Sequence, residues 1–118
     1  MGRIMENCLF CGIIEKTIPT KIVYEDENII AFNDISPQAP THILIIPKEH
    51  IDTINNIEFN HKELIGEMML VAKKLAKETN IADDGYRLIF NCNNNGGQAV
   101  YHIHLHLLGG RQMKWPPG

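Results

Sequence analysis

Apolar residues recur along this chain at two spacings, and the switch between them separates a helix from strands. From Asn60 to about Thr79, Leu64, Ile65, Met68, Ala72, Leu75 and Ala76 fall three to four positions apart. That is the stripe of one long amphipathic helix packed on a sheet, with Met68 and Met69 as core filler. Elsewhere the apolar runs are short and bounded by turn formers. Lys21 to Tyr24 and Ile29 to Phe32 read as strands joined by a hairpin at Glu25-Asp26-Glu27-Asn28. Asp34-Ile35-Ser36-Pro37-Gln38-Ala39-Pro40 is a proline-punctuated loop leading into a third strand, Thr41 to Ile46, which Pro47 stops. Tyr86 to Cys92 follows Gly85 as a fourth strand, and Asn93-Asn94-Asn95-Gly96-Gly97 turns the chain into a fifth, Val100 to Leu108. Near the start, Leu9 to Ile14 predicts a short helical turn, ended by Ile18-Pro19-Thr20. About five strands, a short helix and one long helix predict an α+β domain.

The fifth strand is where patterning turns into chemistry. His102, His104 and His106 alternate with Ile103, Leu105 and Leu107, so an extended backbone projects all three imidazoles from one face at intervals of about 7 Å. Burial in a core explains the aliphatic half of the pattern and leaves the histidine half unexplained. Three imidazoles on one face suit either a metal or a phosphate. Neighbours about 7 Å apart converge on one ion more easily in pairs than as a trio, which favours the phosphate. An imidazole with a pKa near ~6.5 is mostly an unprotonated nucleophile at neutral pH, and a neighbouring one can carry a proton to the leaving group. Attack on phosphorus would then proceed through a phospho-imidazole intermediate. Gly96-Gly97 would let backbone amides approach phosphate oxygens, with a plain hairpin turn as the alternative; Asn91 and Gln98 could donate side-chain amide protons.

Composition narrows the setting. With 118 residues, 44% of them hydrophobic, the chain has material for one ordinary core, so residues 1–118 read as a single domain. The formal net charge is −3 and no Lys/Arg cluster occurs, which argues against nucleic acid as a partner. No apolar run approaches the ~20 residues that cross a bilayer, and Met1-Gly2-Arg3-Ile4-Met5-Glu6 lacks the apolar region of a signal peptide. Glu6 also stands where a myristoylation signal wants Ser or Thr. Three cysteines make an odd count that suits a reducing compartment, so a cytoplasmic protein is expected, without a membrane partner. Cys8-Leu9-Phe10-Cys11 has the spacing of half a structural zinc site, with His42, His50, His61 and His102 as candidates to complete it. The alternative is that both cysteines are small buried apolar groups, which is how Cys92 reads. His61, at the start of the long helix, reads as solvent-facing. Met113 to Gly118 form a tail with the chain's one Trp, an aromatic large enough to dock somewhere.

His102-Ile103-His104-Leu105-His106-Leu107-Leu108 resembles the signature of the histidine triad (HIT) family. Phe32 to His42, Gly96-Gly97-Gln98, Tyr101, Gly109-Gly110-Arg111-Gln112 and Trp115-Pro116-Pro117-Gly118 resemble its Hint branch, the purine nucleoside phosphoramidases, from about Cys8 to the end. The resemblance implies a HIT-like α+β fold with an antiparallel sheet, a homodimer, and no organic cofactor. It implies that His104 attacks the α-phosphorus of an AMP-amine, expels the amine and becomes nucleotidylated before water releases AMP. By the same implication His106 contacts the phosphate, Asp34 binds the ribose hydroxyls, and Phe32 and Ile35 line the base pocket. Asn91, Gly97 and Gln98 would surround the phosphate, and His42 would support the triad from behind. Where well-known animal members carry a serine that contacts the phosphate and leaving group, this chain has Ala99, whose backbone amide could still serve. Bacterial-type members pair a CxxC with two histidines, which implies Cys8, Cys11, His50 and His102 as ligands of a structural zinc. The tail, residues 113–118, would reach the partner's site. Two other functions share these residues: an AMP-binding interaction protein with negligible turnover, and a dinucleoside polyphosphate hydrolase, against which the Trp115-Pro116-Pro117-Gly118 ending argues by resemblance.

Overall fold

The computed structural model describes Met5 and residues 7–118; the readings made on residues 1–4 and Glu6 lie outside the described residues. Five strands form one antiparallel sheet in the order β1-β2-β3-β5-β4, where β1 is Ile22–Glu25, β2 Ile29–Asn33, β3 Thr41–Pro47, β4 Tyr86–Phe90 and β5 Leu105–Gly109. The aliphatic runs at Ile29 to Phe32 and Ile43 to Ile46 are continuous because both faces of the central strands are covered. On one face Ile29, Ala31, Ile43, Ile45, Ile103, Leu105 and Leu107 pack against α2, Lys62–Glu78, through Met68, Val71, Ala72, Leu75 and Ala76. On the other face Ile30, Phe32, Leu44 and Ile46 pack with Phe10 and Ile13 of α1, Leu9–Ile14. The short first helix is therefore the cover of the second face.

Several local expectations are corrected. Met69 is 43% exposed, beside Leu70 at 64%, because only Met68 of the pair lies on the buried stripe of α2. His61 does not face solvent freely. Its Nδ1 accepts from the Glu58 amide at 2.9 Å and its Nε2 faces Glu49 Oε2 at 3.1 Å, completing a reciprocal cap at a short 3-10 turn, Phe59–His61. The fifth strand is shorter than its alternation predicts. Leu105 is the first residue paired to both neighbours, opposite Ile45 of β3 and Phe90 of β4. Before it, the Ile103 N–H leaves the sheet and bonds Ile51 O at 2.8 Å, although its side chain stays in the core. Asn93–Gly96 forms a single helical turn, α3, closed by Gly97 at φ 78°, a left-handed conformation that favours glycine. Trp115 is 83% exposed and does not dock on its own chain.

The sheet depends on the two-faced burial of β3, which makes Ile45 the sharpest test. It is fully buried between β2 and β5, opposite Ala31 and Leu105, and its side chain lies in the core beneath α2 rather than on the histidine face. Ile45→Ala should lower unfolding free energy by about 2–5 kcal/mol in urea denaturation, through lost transfer energy and a residual cavity. A loss below about 1 kcal/mol would mean that the α2-facing core is looser than this packing describes.

Candidate active site and metal centre

The register of β3 against β5 builds the histidine cluster. Leu44 lies opposite His106 and His42 opposite Leu108, so His42 and His106 are diagonal neighbours on the face away from α2. Alternation carries His104 to the same face two residues earlier. The His104 and His106 ring centroids are 4.9 Å apart, and those of His42 and His106 5.2 Å. Phe10 of α1 closes over the array, its ring edge-on to His104 at 5.1 Å and to His102 at 6.0 Å.

Hydrogen bonds assign the protons. The Gln38 N–H donates to His42 Nδ1 at 3.0 Å, so a neutral His42 carries its proton on Nε2. That Nε2–H lies 2.9 Å from His106 Nδ1 and 3.5 Å from Asp34 Oδ2. His106 Nδ1 therefore accepts, and its proton sits on Nε2, a buried atom with no hydrogen-bond partner among the described residues. His104 has the opposite arrangement. Its Nδ1 faces the His102 carbonyl at 2.8 Å and must donate to it, which leaves the lone pair on Nε2. One face thus presents an unprotonated ring nitrogen and, on the next imidazole, an unsatisfied N–H.

Burial keeps these rings neutral. His104 is lowered from the usual histidine value chiefly by desolvation. His106 is pushed down to about 4, first by burial and then by repulsion from His104 and His42; His42 is lowered by burial against a smaller opposing pull from Asp34.

His104 and His106 open onto a cleft of about 300 Å³ whose other walls include Phe10, Ile13 and Ile18 on one side and Phe32, Asp34, Ile35 and Leu44 on the other. Such a volume, mostly apolar with a few convergent polar groups, suits a small organic ligand. Phe32 is buried and Ile35 stands almost fully exposed at the rim. Asp34 is divided: Oδ1 accepts from the Ser36 amide at 2.8 Å, the turn-capping role, while Oδ2 faces His42. Ala99 is exposed and lines the same cleft. Asn91 follows β4 and Gly97 caps α3, neither among the residues lining the cleft. Gln98 requires a correction. Its Oε1 accepts from the Asn93 amide at 2.8 Å, and its Nε2 donates to Asp52 O at 2.8 Å and Val100 O at 3.0 Å. The side chain is buried and spent on backbone groups, so it has no amide proton left for a phosphate.

Cys8, Cys11, His50 and His102 converge beside this site, with ligand atoms all within 4.8 Å of one another. His102 Nδ1 lies 3.4 Å from Cys8 Sγ, 3.6 Å from Cys11 Sγ and 3.2 Å from His50 Nδ1; Cys11 Sγ is 3.3 Å from His50 Nδ1. Tetrahedral zinc, with bonds of ~2.05 Å to nitrogen and ~2.3 Å to sulfur, holds its ligand atoms roughly 3.3–3.8 Å apart. The proton assignments agree. His102 Nε2–H donates to Pro47 O at 2.8 Å and His50 Nε2–H to Asp52 Oδ1 at 2.5 Å, so two Nδ1 lone pairs face each other across a buried space. With each Nε2–H held by an oxygen and each Nδ1 turned toward the thiols, this is the hydrogen-bond pattern that orients metal-binding histidine. Asp34, His42 and His106 also lie within 4.8 Å of one another, but there the facing nitrogens already form a donor–acceptor pair. Sequence reasoning missed Asp52, Phe10 and the Pro47 carbonyl. The one trace of them was Asp52, placed two residues after His50.

The lowered histidines make stability pH-dependent with a definite sign. At pH above about 6.5 the rings are neutral in both folded and unfolded chains, and their contribution is complete. As pH falls, the unfolded chain takes up protons that native His106 refuses until about 4, so stability drops across that window. Allowing for partial solvent contact, His106→Asn should reduce the loss between pH 7.5 and pH 5 by about 1 kcal/mol, read from urea midpoints. An identical loss in wild type and variant would mean that His106 titrates normally.

Comparison with known proteins agrees with this geometry. A family model described as the HIT domain matches residues 15–113. The chain is 56% identical over 108 residues to a purine nucleoside phosphoramidase of Escherichia coli K12, covering 92% of this chain and 91% of that protein. It is 54% identical over 112 residues to a 14 kDa zinc-binding protein of Zea mays, covering 93% and 87%. Among solved structures, a HIT family hydrolase from Legionella pneumophila superposes with a TM-score of 0.94 at 61% identity, covering 95% of this chain and all of that one. A chain with this fold, these alternating histidines and these relatives belongs to the HIT family.

Proposed function

We propose that this protein is a nucleotide hydrolase that cleaves the P–N bond of purine nucleoside phosphoramidates through a nucleotidyl-histidine. The observation that carries the reading is the pair of ring nitrogens on the cleft face: His104 Nε2 with a free lone pair beside His106 Nε2–H with no partner. His104 Nε2 attacks the α-phosphorus, the P–N bond breaks, and the His102 carbonyl stabilises the imidazolium that forms by accepting from its Nδ1–H. The bound phosphoryl anion raises the proton affinity of His106, which takes up a proton from solvent as substrate binds, passes one from Nε2 to the departing amine and so returns to the neutral ring. In the second step water attacks phosphorus and passes a proton to His106; the P–N bond to His104 breaks, the water oxygen stays on phosphorus in AMP, and His104 and, after loss of that proton to solvent, His106 are regenerated. His42 orients His106 through the 2.9 Å bond, held in turn by the Gln38 amide. The relative's name, purine nucleoside phosphoramidase, supports this substrate class.

In this reading the apolar wall with Phe32 and Ile35 takes the purine, and the Asp34 carboxylate, which lines the same cleft, takes the ribose hydroxyls. Asn91, Gly97 and the Ala99 backbone serve the phosphate. Cys8, Cys11, His50 and His102 hold a structural zinc, a reading supported by the facing lone pairs and by the Zea mays relative's name. Zinc supplies cross-linking of α1 to the sheet and takes no part in the steps above. A homodimer is supported by β4, an end strand with all five residues half-buried and an unpaired edge, and by the exposed Leu70 and Met69 on α2. Exposed Trp115 leaves residues 113–118 free to meet the partner's site. The three unpaired cysteines fit the reducing cytoplasm, and no described helix is long and apolar enough to cross a membrane.

Two measurements test these assignments. With a fluorogenic AMP amide, His104→Asn should lower kcat by at least about 10³-fold, and intact-mass spectrometry of rapidly quenched wild type should find a nucleotidyl adduct absent from the variant. Wild-type turnover by His104→Asn would remove His104 as the nucleophile. For the metal, purified protein should contain about one zinc per chain by elemental analysis, and Cys11→Ser should lower both zinc content and melting temperature, the latter by about 5–10 °C. Full stability without zinc would show that the cysteines serve as apolar packing.

A further inference from the structure

Between the cleft and the metal cluster lies one residue pair that joins them. Asp52 accepts the His50 Nε2–H through its side chain and the Gln98 Nε2–H through its backbone carbonyl. Gln98 in turn accepts the Asn93 N–H with Oε1 at 2.8 Å, at the first residue of α3. The Gln98 side chain is buried, and its amide group makes three hydrogen bonds, all to backbone: two within its own stretch of chain, to Asn93 and Val100, and one to the distant Asp52. A buried amide so committed holds those segments in one arrangement, because breaking any bond strands a polar group away from water. Asn93 to Gly97 is the turn that carries Gly97, which the proposed function gives to the phosphate. Residues 50–52 are the segment that carries the ligand His50. The two sites therefore share a hydrogen-bonded chain: His50, Asp52, Gln98, Asn93.

Taking the cleft to bind a nucleotide and the cluster to bind zinc, as in the preceding section, we propose that Gln98 is a positioning residue that fastens the phosphate loop to the metal-ligand segment, so that metal and nucleotide each strengthen the binding of the other. Without a cation, His50 and His102 are tied to Cys11 and Cys8 only by weak thiol contacts of 3.3 and 3.4 Å, so the 50–52 segment and its Asp52 carbonyl are held less firmly. Gln98 then loses an acceptor and α3 loses its brace. With the cation in place the loop is preorganised, which lowers the ordering cost of nucleotide binding. A second connection runs beside the first, from the His102 ring to its carbonyl and on to His104 Nδ1. It touches the nucleophile and bypasses the loop, so a change confined to Gln98 separates the two.

The test measures coupling between the ligands as well as turnover. Zinc affinity is determined by chelator competition on the full chain, with and without saturating AMP, in wild type, Gln98→Met and Gln98→Glu. Gln98→Met keeps the length of the side chain and removes all three bonds; Gln98→Glu keeps the acceptor for Asn93 N–H and sets a carboxylate against two carbonyls. In wild type AMP should tighten zinc binding about 5–50-fold. Gln98→Met should reduce that factor below about twofold, and Gln98→Glu should not restore it. Coupling of wild-type size in Gln98→Met would overturn the proposal and assign the connection to His102 and His104. Hydrogen exchange on zinc-loaded wild type keeps the test independent of how the variants fold: AMP should slow amide exchange at Asn93 and also across residues 50–53. Slowing confined to residues 91–98 would overturn the brace. A wild type that binds zinc but shows no AMP binding by calorimetry would instead overturn the nucleotide reading, and this proposal with it.

Discussion

The pairing of β3 with β5 is the interaction on which the rest of the molecule depends. It sets Leu44 opposite His106 and His42 opposite Leu108, and a slip of one residue would turn every histidine toward α2 and every aliphatic partner toward the cleft. The register is held by packing on both faces at once. Ile43 and Ile45 join Leu105 and Leu107 beneath α2, while Leu44 and Ile46 join Phe32 and Phe10 beneath α1. Neither face alone would bury enough of the two aliphatic runs, so the six-residue α1 carries weight out of proportion to its length. It also brings Cys8 and Cys11 to the ends of His50 and His102 and lays Phe10 over His104.

Burial then performs two tasks with opposite electrostatic demands. Around His104, His106 and His42 it favours neutral rings, which preserves the lone pair on His104 Nε2 at neutral pH. Around Cys8, Cys11, His50 and His102 it brings together four atoms that could hold a metal. The Cys11 thiol is raised to about 11, chiefly by desolvation, which makes it a neutral thiol rather than a reactive thiolate. His102 stands at the meeting of the two regions. Its ring belongs to the cluster and its carbonyl accepts from His104 Nδ1–H, so the three alternating histidines serve two different structures.

Much of the architecture was legible because strong periodicity survives tertiary context. The long helix, four strands and the short first helix lie close to where the pattern predicts them. The misreadings share a physical cause. Met69 and Met68 are equally apolar, and only the position of the sheet decides which one is buried. The fifth strand loses its first residues because β4 ends at Phe90, opposite Leu105, and the Ile103 N–H turns to Ile51 O, which alternation within one segment cannot register. Gln98 looked like a donor to phosphate because its chemistry permits that; its three backbone partners come from segments up to 46 residues away.

What the chain determined by itself was therefore a set of local facts: which residues alternate, which are spaced for a helix, which types can attack phosphorus or bind zinc. His104 flanked by His102 and His106, and Cys8 three residues from Cys11, are visible in one dimension because the spacing is short and the side chains have few other uses. The tertiary structure decided the allocation. It chose His50 and His102, 39 and 91 residues from Cys11, to complete the cluster and gave His42 to His106 across 64 residues. It also assigned each ring its tautomer by placing an amide against His42 Nδ1 and a carbonyl against His104 Nδ1. A hydrogen bond needs both partners within about 3 Å, and the sequence specifies only one of them at a time.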